Sequence, residues 1–484
     1  MRLAELRVTD TARASFQEAR IIHWNAVARQ MDTWTGWGGY YHRRLAQIYR
    51  FLVAPAQRVL ELGCGRGDLL AALKPAVGVG VDFSHEMVAR ARQRHPELRF
   101  YLADAHDFRL DEKFDVIILS DLVNDLWDVQ AAYQQIAQLV TPRTRIILNS
   151  YSRLWELPLA LADRLGLAKP TLYQNWLTAA DVSNLLNLAG FEVVRQWQEI
   201  LCPLPIPIFT EFLNRYVVKL WPFRTLALTN FHLARPRPIL DGVKCEPLVS
   251  VIIPARNEAG NIDQIFTRTP EMGRGTELVF IEGHSQDDTY SAIEQAMASH
   301  PERRCELLSQ TGVGKADAVR LGFTRAKGDV LVILDADLTV SPEDLPRFYE
   351  ALQSGMGEFI NGVRLVYPVE DEAMRFFNLL GNKFFSMAFS WLLGQSIKDT
   401  LCGTKVFWKR DYDLIVANRA YFGDFDPFGD YDLLFGASKL GLKIVDLPIR
   451  YRSRSYGTTN IQRWKHGWLL LRMVLFAAGR IRFV

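Results

Sequence analysis

No uncharged apolar run in the 484 residues reaches the roughly 18 expected of a membrane-spanning helix, so no transmembrane anchor is predicted. Cysteine is scarce: Cys64, Cys202, Cys245, Cys305 and Cys402 are scattered and never stand in C-x-x-C or His/Cys ligand spacing. That excludes a disulfide framework and a structural zinc site, and fits a reducing compartment. Residues 1–20, MRLAELRVTDTARASFQEAR, carry charges throughout and lack the apolar stretch of a signal peptide. A cytoplasmic chain is therefore expected. An excess of charge of one sign is also missing, since 57 basic against 54 acidic residues leave a net charge of +3. Nucleic acid is thus not an expected partner, and any polyanion site has to be a local patch. Low-complexity tracts and short-period repeats are lacking too, which excludes disordered and solenoid architectures.

What is present is an alternation of strand-like apolar runs with amphipathic, helix-like segments, the pattern of α/β folds with largely parallel sheets. The chain is too long for one hydrophobic core. The alternation begins at RVLELGCG near residue 58 and restarts at LVSVIIPARNE at residue 248, after the linker-like ARPRPILDGVKCEP. Two domains are predicted, 1–243 and 244–484.

In the first, VLELGCGRGDLLAAL reads as a strand, a glycine turn (Gly63, Gly65, Gly67) and a helix. Glycines there let backbone approach a ligand that side chains would exclude. The next strand, VGVGVDFS, ends in Asp82, an acid placed to accept both hydroxyls of a ribose. LRFYLADAHDF then brings Asp104 to the end of a third strand, and FDVIILSDLVNDL supplies a fourth. These segments, with LLNLAGFEVV further on, resemble the class I S-adenosylmethionine-dependent methyltransferases over roughly residues 35 to 240. A dinucleotide oxidoreductase would show G-x-G-x-x-G instead. The resemblance implies a Rossmann-like domain with Glu61, Gly63 and Gly65 around the methionine moiety, Asp82 on the ribose and Asp104 on the adenine amino group. For a general base, Asp121, Asp125 and His106 all lie near strand ends, and each also reads as a cap or solvated residue. LCPLPIPIFTEFLNRYVVKLWPF falls where the last two strands would be joined, and either covers an acceptor or packs in the core.

In the second domain VLVILDADLTVSPEDLP, residues 330–346, runs a buried strand into Asp335, Ala336 and Asp337. Strand alternation predicts both carboxylates on one face, with Ser341 capping a helix that has Pro342 at its first position. Like charges so close suit a divalent cation completed by phosphate oxygens, hence a nucleoside diphosphate; a solvated strand end is the alternative. LVSVIIPARNEAGNI, ELVFIEGHSQDDT and TGVGKADAVRLGFTRAKGD precede it in order. Together these segments resemble the inverting family 2 glycosyltransferases of GT-A fold, a Rossmann-like nucleotide-sugar-binding domain, from 248 to about 460. The resemblance implies that Pro254, Arg256, Glu258 and Lys315 bind the nucleotide sugar, a UDP- or GDP-sugar, that Glu282 reads the base, and that Asp335 and Asp337 hold Mg²⁺ or Mn²⁺. The family's usual second acid after that strand is Gly283 here.

NGVRL (Gly362, Arg364), KDTLCGTKVF and FGDYDLLFGASKLGLKIVDLPIRYRSRSYGTTN look most like the polyprenyl-phosphate sugar synthases. A phosphate acceptor needs cations, for which Arg364, Arg454 and Lys405 stand ready; a saccharide or glycan hydroxyl needs a base, for which Asp430 or Asp432 does. Asn460 replaces the lysine those synthases carry. FFNLLGNKFFSMAFSWLLGQS spaces Asn378, Asn382, Ser386 and Ser390 by four, and WKHGWLLLRMVLFAAGRIRFV carries Arg472, Arg480 and Arg482. Both segments read as core or as an interfacial surface on the inner face of a membrane. The sequence as a whole predicts a bifunctional enzyme of cell-surface glycan assembly, or a scaffold in which a domain is silent.

Overall fold

The strands β1 (Arg58–Leu62), β2 (Val77–Asp82), β3 (Arg99–Leu102), β4 (Val116–Ser120), β5 (Arg145–Tyr151), β6 (Phe191–Glu199) and β7 (Thr229–Pro236) form one seven-stranded sheet in the order β3-β2-β1-β4-β5-β7-β6. The computed structural model describes residues 2–30, 38–164, 172–238, 246–364, 376–400, 402–418, 430–452, 456 and 463–483, side chains of 2–10, 38, 376–380, 382, 430 and 463–467 excepted. The chain divides into two units, Met1–Arg237 with Phe483–Val484, and Pro238–Arg482. The boundary expected at residue 243 lies outside the described residues.

In the first unit every strand pair is parallel except those made by β7, which runs antiparallel to β5 and β6. Leu60 and Leu62 join one buried cluster while Val59 joins another, so the sheet is covered on both faces at β1, as the apolar residues on both sides of that strand require. Helices α1 (Arg2–Gln30), α2 (Gly38–Leu52), α3 (Asp68–Ala72), α4 (His85–Arg94), α5 (Val129–Ala137), α6 (Glu156–Arg164), α7 (Ala179–Leu188) and α8 (Phe209–Arg215) accompany it. The chain runs outward from β1 to β3 and returns to β4 on the other side of β1. The crevice between the carboxyl ends of β1 and β4 is therefore the topological switch point, where such sheets bind ligands.

His232, on β7, is fully buried; its Nε2 faces the Ala179 carbonyl at 3.1 Å, and its Nδ1 has no partner among the described residues. Burial pushes its pKa down to about 4. The unfolded chain, with an ordinary histidine, takes up the proton first, so stability present above about pH 6.5 is lost as pH falls toward 4, up to about 3 kcal/mol. Hydrogen exchange of the β7 amides, corrected for intrinsic pH dependence, is expected to show this loss in the wild type and much less of it in His232→Gln.

The second unit repeats the architecture: β8 (Val249–Ala255), β9 (Thr276–Glu282), β10 (Arg304–Ser309), β11 (Val330–Ile333), β12 (Phe359–Val363), β13 (Lys405–Trp408) and β14 (Ile444–Pro448), in the order β10-β9-β8-β11-β13-β12-β14. Only β13 is antiparallel to its neighbours. Its helices are α9 (Ile262–Arg268), α10 (Thr289–Ser299), α11 (Lys315–Arg325), α12 (Leu345–Gln353), α13 (Phe376–Leu393), α14 (Lys409–Ala417), α15 (Asp430–Lys439) and α16 (Arg463–Ala477). The switch point lies between β8 and β11.

Two local expectations fail here. β11 stops at Ile333, and the chain turns at once: Leu338 N–H donates to the Asp335 carbonyl at 3.3 Å, with Leu338 at φ +52°. Asp335 and Asp337 are the first and third residues of that turn, so turn geometry, and not strand alternation, sets their directions. Ser341 makes no side-chain cap; its hydroxyl accepts from Arg268 Nη2 at 3.2 Å, and a short 3₁₀ turn, Pro342–Asp344, leads into α12 instead. On α13, Ser386 and Ser390 donate to the Ile397 carbonyl at 2.7 and 3.0 Å, so that part of the polar stripe faces protein. Asn378 and Asn382 side chains lie outside the described residues. Phe384 and Met387 on α13 and Trp468 and Leu475 on α16 are exposed. No helix among the described residues is long and apolar enough to cross a membrane.

Candidate active sites

The first site opens at the β1–β4 switch point. Gly63 sits at φ +69°, and a Cβ there would come within 2.9 Å of Leu122, so glycine is required both by the backbone and by the close approach. Asp82 anchors the turn: its Oδ2 accepts from Gly65 N–H at 2.9 Å and its Oδ1 from Ser84 N–H at 2.8 Å. Burial raises the Asp82 pKa, and those amides offset only part of the effect. Beside it lies a cavity of about 480 Å³, its solvent-open part included, lined among others by Gly63, Asp82, Asp104, His106, Leu122 and Trp127. Glu61, on the inner strand β1, is buried, and burial holds its pKa well above the ordinary value. Its Oε2 has no hydrogen-bond partner among the described residues. An orphaned acidic oxygen beside a glycine cradle fits the ammonium end of an amino-acid-bearing ligand such as S-adenosylmethionine.

Sequence reasoning missed α1, whose side chains occupy the acids of this pocket. Gln17 Nε2 donates to Asp104 Oδ2 at 2.8 Å, and Asn25 Oδ1 accepts from Ser84 Oγ at 2.6 Å. Arg20 Nε and Trp24 Nε1 donate to the two oxygens of Asp125 at 3.0 and 2.7 Å. No motif marks these residues, and the resemblance begins only after them.

Two of the three candidate bases are thereby removed. Asp125 is committed to Arg20 and Trp24. His106 Nε2 accepts from Asp128 N–H at 3.1 Å, so the proton is on Nδ1, which donates to Asp104 Oδ1. With its lone pair used, His106 is a positioning group for Asp104. Burial acts to raise the Asp104 pKa, but the bonds from His106 and Gln17 outweigh it and hold it low. Asp121 remains. It follows β4 directly, at φ +54°, and its Oδ1 accepts from Tyr41 Oη at 2.7 Å and from Asn149 Nδ2.

The second site gathers at the ends of β8, β9 and β11. Asn257, at φ +57°, ties the first two loops together: its N–H donates to Ser285 Oγ at 3.0 Å, and its Oδ1 accepts from Gln286 N–H at 2.7 Å. Glu258 is buried and accepts from Asn261 Nδ2 at 2.8 Å; Pro254 is half-buried, and Arg256 is exposed beside them. Glu282 Oε1 accepts from Ser285 N–H at 2.6 Å, so one of its oxygens serves the loop.

Lys315 opens α11 after the Gly312–Gly314 loop, and its Nζ lies 2.6 Å from Asp335 Oδ1. Burial acts against ionisation of Asp335, but Lys315, followed by Lys405 and Arg364, lowers its pKa below the ordinary value. Asp337 Oδ1 accepts from Thr339 N–H and Oγ1 at 3.1 and 2.7 Å. Gly403 closes the cluster: a Cβ there would fall 2.1 Å from Asp335 Oδ2. Two hard oxygen donors gathered at one switch point fit a divalent cation that takes its remaining ligands from phosphate and water. Among the described residues no group of three or more His, Cys, Asp or Glu side chains could hold a metal by itself.

The acceptor residues are rearranged relative to the sequence expectation. Arg364 is clamped by Asp399, Nε to Oδ2 at 2.7 Å and Nη2 to Oδ1 at 2.9 Å, so its guanidinium does not reach out to an acceptor. Lys405 is buried and donates to the Cys402 carbonyl at 2.6 Å. Asp432 lies 3.4 Å from Arg320 Nη2, in a small cavity it shares with Phe323, Tyr412 and Ile415, so α11 and α14 enclose it. The Asp430 side chain, Arg454 and Asn460 lie outside the described residues.

Residues 54–199 match the model of a methyltransferase domain, and residues 250–422 that of glycosyl transferase family 2. The dolichol-phosphate mannosyltransferase of Pyrococcus furiosus is 28% identical over 220 residues, 44% of this chain and 59% of that protein. The undecaprenyl-phosphate 4-deoxy-4-formamido-L-arabinose transferase of Edwardsiella ictaluri is 23% identical over 213 residues, 43% of this chain and 61% of that protein. The chain thus spans about three fifths of the length of these relatives. The crystal structure of magnesium protoporphyrin IX methyltransferase from Synechocystis PCC 6803 with bound SAH covers 40% of this chain and 83% of its own, at 21% identity and a TM-score of 0.29.

Proposed function

We propose that this chain, a transferase with a methyltransferase domain followed by a family 2 glycosyl transferase domain, is a bifunctional enzyme that methylates one substrate and glycosylates a polyprenyl phosphate from a nucleotide sugar. The observation that carries the glycosyl half is the cluster at the β8–β11 switch point: Asp335 kept ionised by Lys315, Asp337 beside it, and Gly403 packed closely against Asp335 and Lys315. Mg²⁺ or Mn²⁺, when bound, neutralises the diphosphate leaving group. Asp335 and Asp337 would hold that cation, and Lys315 at the N-terminus of α11 adds positive charge where phosphate oxygens gather. Pro254, Arg256, Glu258 and Glu282 border the space where the nucleoside belongs. Transfer is by one in-line displacement, which inverts the anomeric carbon.

A phosphate monoester is already anionic at neutral pH and needs no base to attack. The engagement of Asp432 with Arg320 favours that acceptor, since a sugar hydroxyl would call on this carboxylate as base. The named acceptors of the two relatives are polyprenyl phosphates as well. Exposed Phe384, Met387, Trp468 and Leu475 suit a lipid surface that presents such an acceptor, with Arg472 and Arg480 toward its anionic headgroups. We read the chain as peripheral on the inner face of a membrane. In the first domain, S-adenosylmethionine is the methyl donor, with Glu61, Gly63 and Gly65 at its methionine end and Asp82 and Asp104 at its nucleoside end.

Incubating the chain with undecaprenyl phosphate and labelled UDP- and GDP-hexoses tests the glycosyl half. Label is expected in the lipid extract with Mg²⁺ or Mn²⁺ and to vanish in EDTA. Label confined to soluble saccharide, or transfer unaffected by EDTA, contradicts the proposal.

A further inference from the structure

Asp121 is set apart from every other acid of the first unit by three observations. It stands immediately after β4, on the side of the switch-point crevice opposite the glycine turn, and the next residue, Leu122, lines the ligand cavity. Its backbone is left-handed, a conformation that costs a non-glycine residue energy and concentrates at functional sites. Its carboxylate is oriented through one oxygen only: Tyr41 Oη and Asn149 Nδ2 both donate to Oδ1, and Asn149 is itself fixed by Tyr49 Oη, which donates to its Oδ1 at 2.7 Å. Oδ2 has no hydrogen bond among the described residues, and the residue is only half-buried. A base held by a second group, itself held by a third, with one oxygen left without a hydrogen bond, is the arrangement general-base catalysis requires.

We infer that Asp121 is the general base of the methyl-transfer site and that its acceptor is an uncharged hydroxyl. The inference rests on reading the first unit as an S-adenosylmethionine-dependent methyltransferase. The surroundings select the acceptor class. Among the described residues the groups packed around this carboxylate are Tyr41 and Tyr49 from α2 and Asn149 and Tyr151 from β5, and burial keeps all three phenols protonated. They include no cation to hold an acceptor carboxylate. An amine would be stabilised by Asp121 as its ammonium, which has no lone pair with which to attack. A hydroxyl donates its hydrogen bond to Oδ2 and keeps its lone pairs for the methyl carbon.

In the transfer the acceptor oxygen bonds to the methyl carbon as the carbon–sulfur bond breaks. The electron pair of that bond stays on sulfur, which becomes the neutral thioether, and the hydroxyl proton passes to Asp121 Oδ2. Burial pushes the Asp121 pKa up to about 6, against the bonds from Tyr41 and Asn149, so the carboxylate is ionised and moderately basic near neutral pH.

The test uses the full chain, methyl-labelled S-adenosylmethionine and three acceptors that share a tail: octyl glucoside, octylamine and octanoate. Label is expected on the glucoside. Asp121→Asn, which tolerates the left-handed backbone, is expected to lose on the order of 10²–10⁴-fold in kcat. Calorimetry is expected to find its affinity for S-adenosylmethionine unchanged. The wild-type kcat should rise with pH to a plateau above about 6. Tyr41→Phe, which removes a bond to the ionised form, should move that inflection upward. The inference is overturned if label goes only to the amine or the carboxylate, if the glucoside stays unlabelled, or if Asp121→Asn keeps its rate. It is overturned equally if that variant loses donor affinity in proportion to rate, which would make Asp121 a holder of the donor's ammonium. Failure of the wild-type chain to bind S-adenosylmethionine at all would instead bring down the reading of the domain on which the inference stands.

Discussion

Asp337→Ala is expected to lower glycosyl transfer from a nucleotide sugar at least about 10³-fold, a barrier increase of roughly 4 kcal/mol. The reason is charge. On the proposed function the departing diphosphate would develop negative charge beside Asp335 and Asp337, and without the second carboxylate a cation held there would lose one of its two protein ligands. Asp337 also anchors Thr339 through two hydrogen bonds, so alanine loosens the turn as well. Asp337→Asn separates the two effects: it keeps an acceptor for Thr339 while removing the negative charge, and its turnover should fall almost as far. Affinity for S-adenosylmethionine, measured on the same samples, should not move, because that pocket belongs to the other unit. Glycosyl turnover at wild-type levels in either variant would refute the role given to this carboxylate.

The second large effect is on stability. Asp399 is 2% exposed and Arg364 is clamped to it by two short bonds. Burial acts to lower the Arg364 pKa, but Asp399 outweighs it and keeps the guanidinium charged. Asp399→Ala strands that charge in the interior, and breaking such a pair costs about 3–5 kcal/mol. Thermal unfolding and hydrogen exchange of the β12 and β13 amides should both register it. Arg364→Met combined with Asp399→Ala should recover most of the loss, because the stranded charge is then gone. A single variant that melts like the wild type would show that the clamp contributes nothing.

The fold was legible because both sheets are parallel at their centres. VIIL and VLVI are unbroken apolar runs and RVLEL and VSVII are interrupted by one polar residue inside the strand, and strands covered on both faces read that way. The glycine turn and the acids at strand ends were legible for the same reason, since a switch point puts its ligands where buried strands stop. Side-chain commitments were not. Nothing in the sequence tells that Asp125 is taken by Arg20 and Trp24, residues 105 and 101 positions away along the chain. The clamp of Arg364 by Asp399 is likewise a pairing across 35 positions. Spacing also misled at Asp335 and Asp337, where a hydrogen-bonded turn begins two residues before alternation would have let it. Asp121 looked no better than its neighbours because a left-handed backbone at an aspartate leaves no mark in composition or period.

The long first helix carries a kinetic consequence. Phe16, Gln17, Arg20 and Ile21 line the cavity, and Gln17 and Arg20 hold two of its acids. On the proposed reading of this domain, spent donor leaving the crevice by that side would have to wait for those bonds to part, whatever the speed of the chemistry beneath them. The dwell time of product would then set the ceiling on turnover, and sequence changes far from the reacting atoms would tune it.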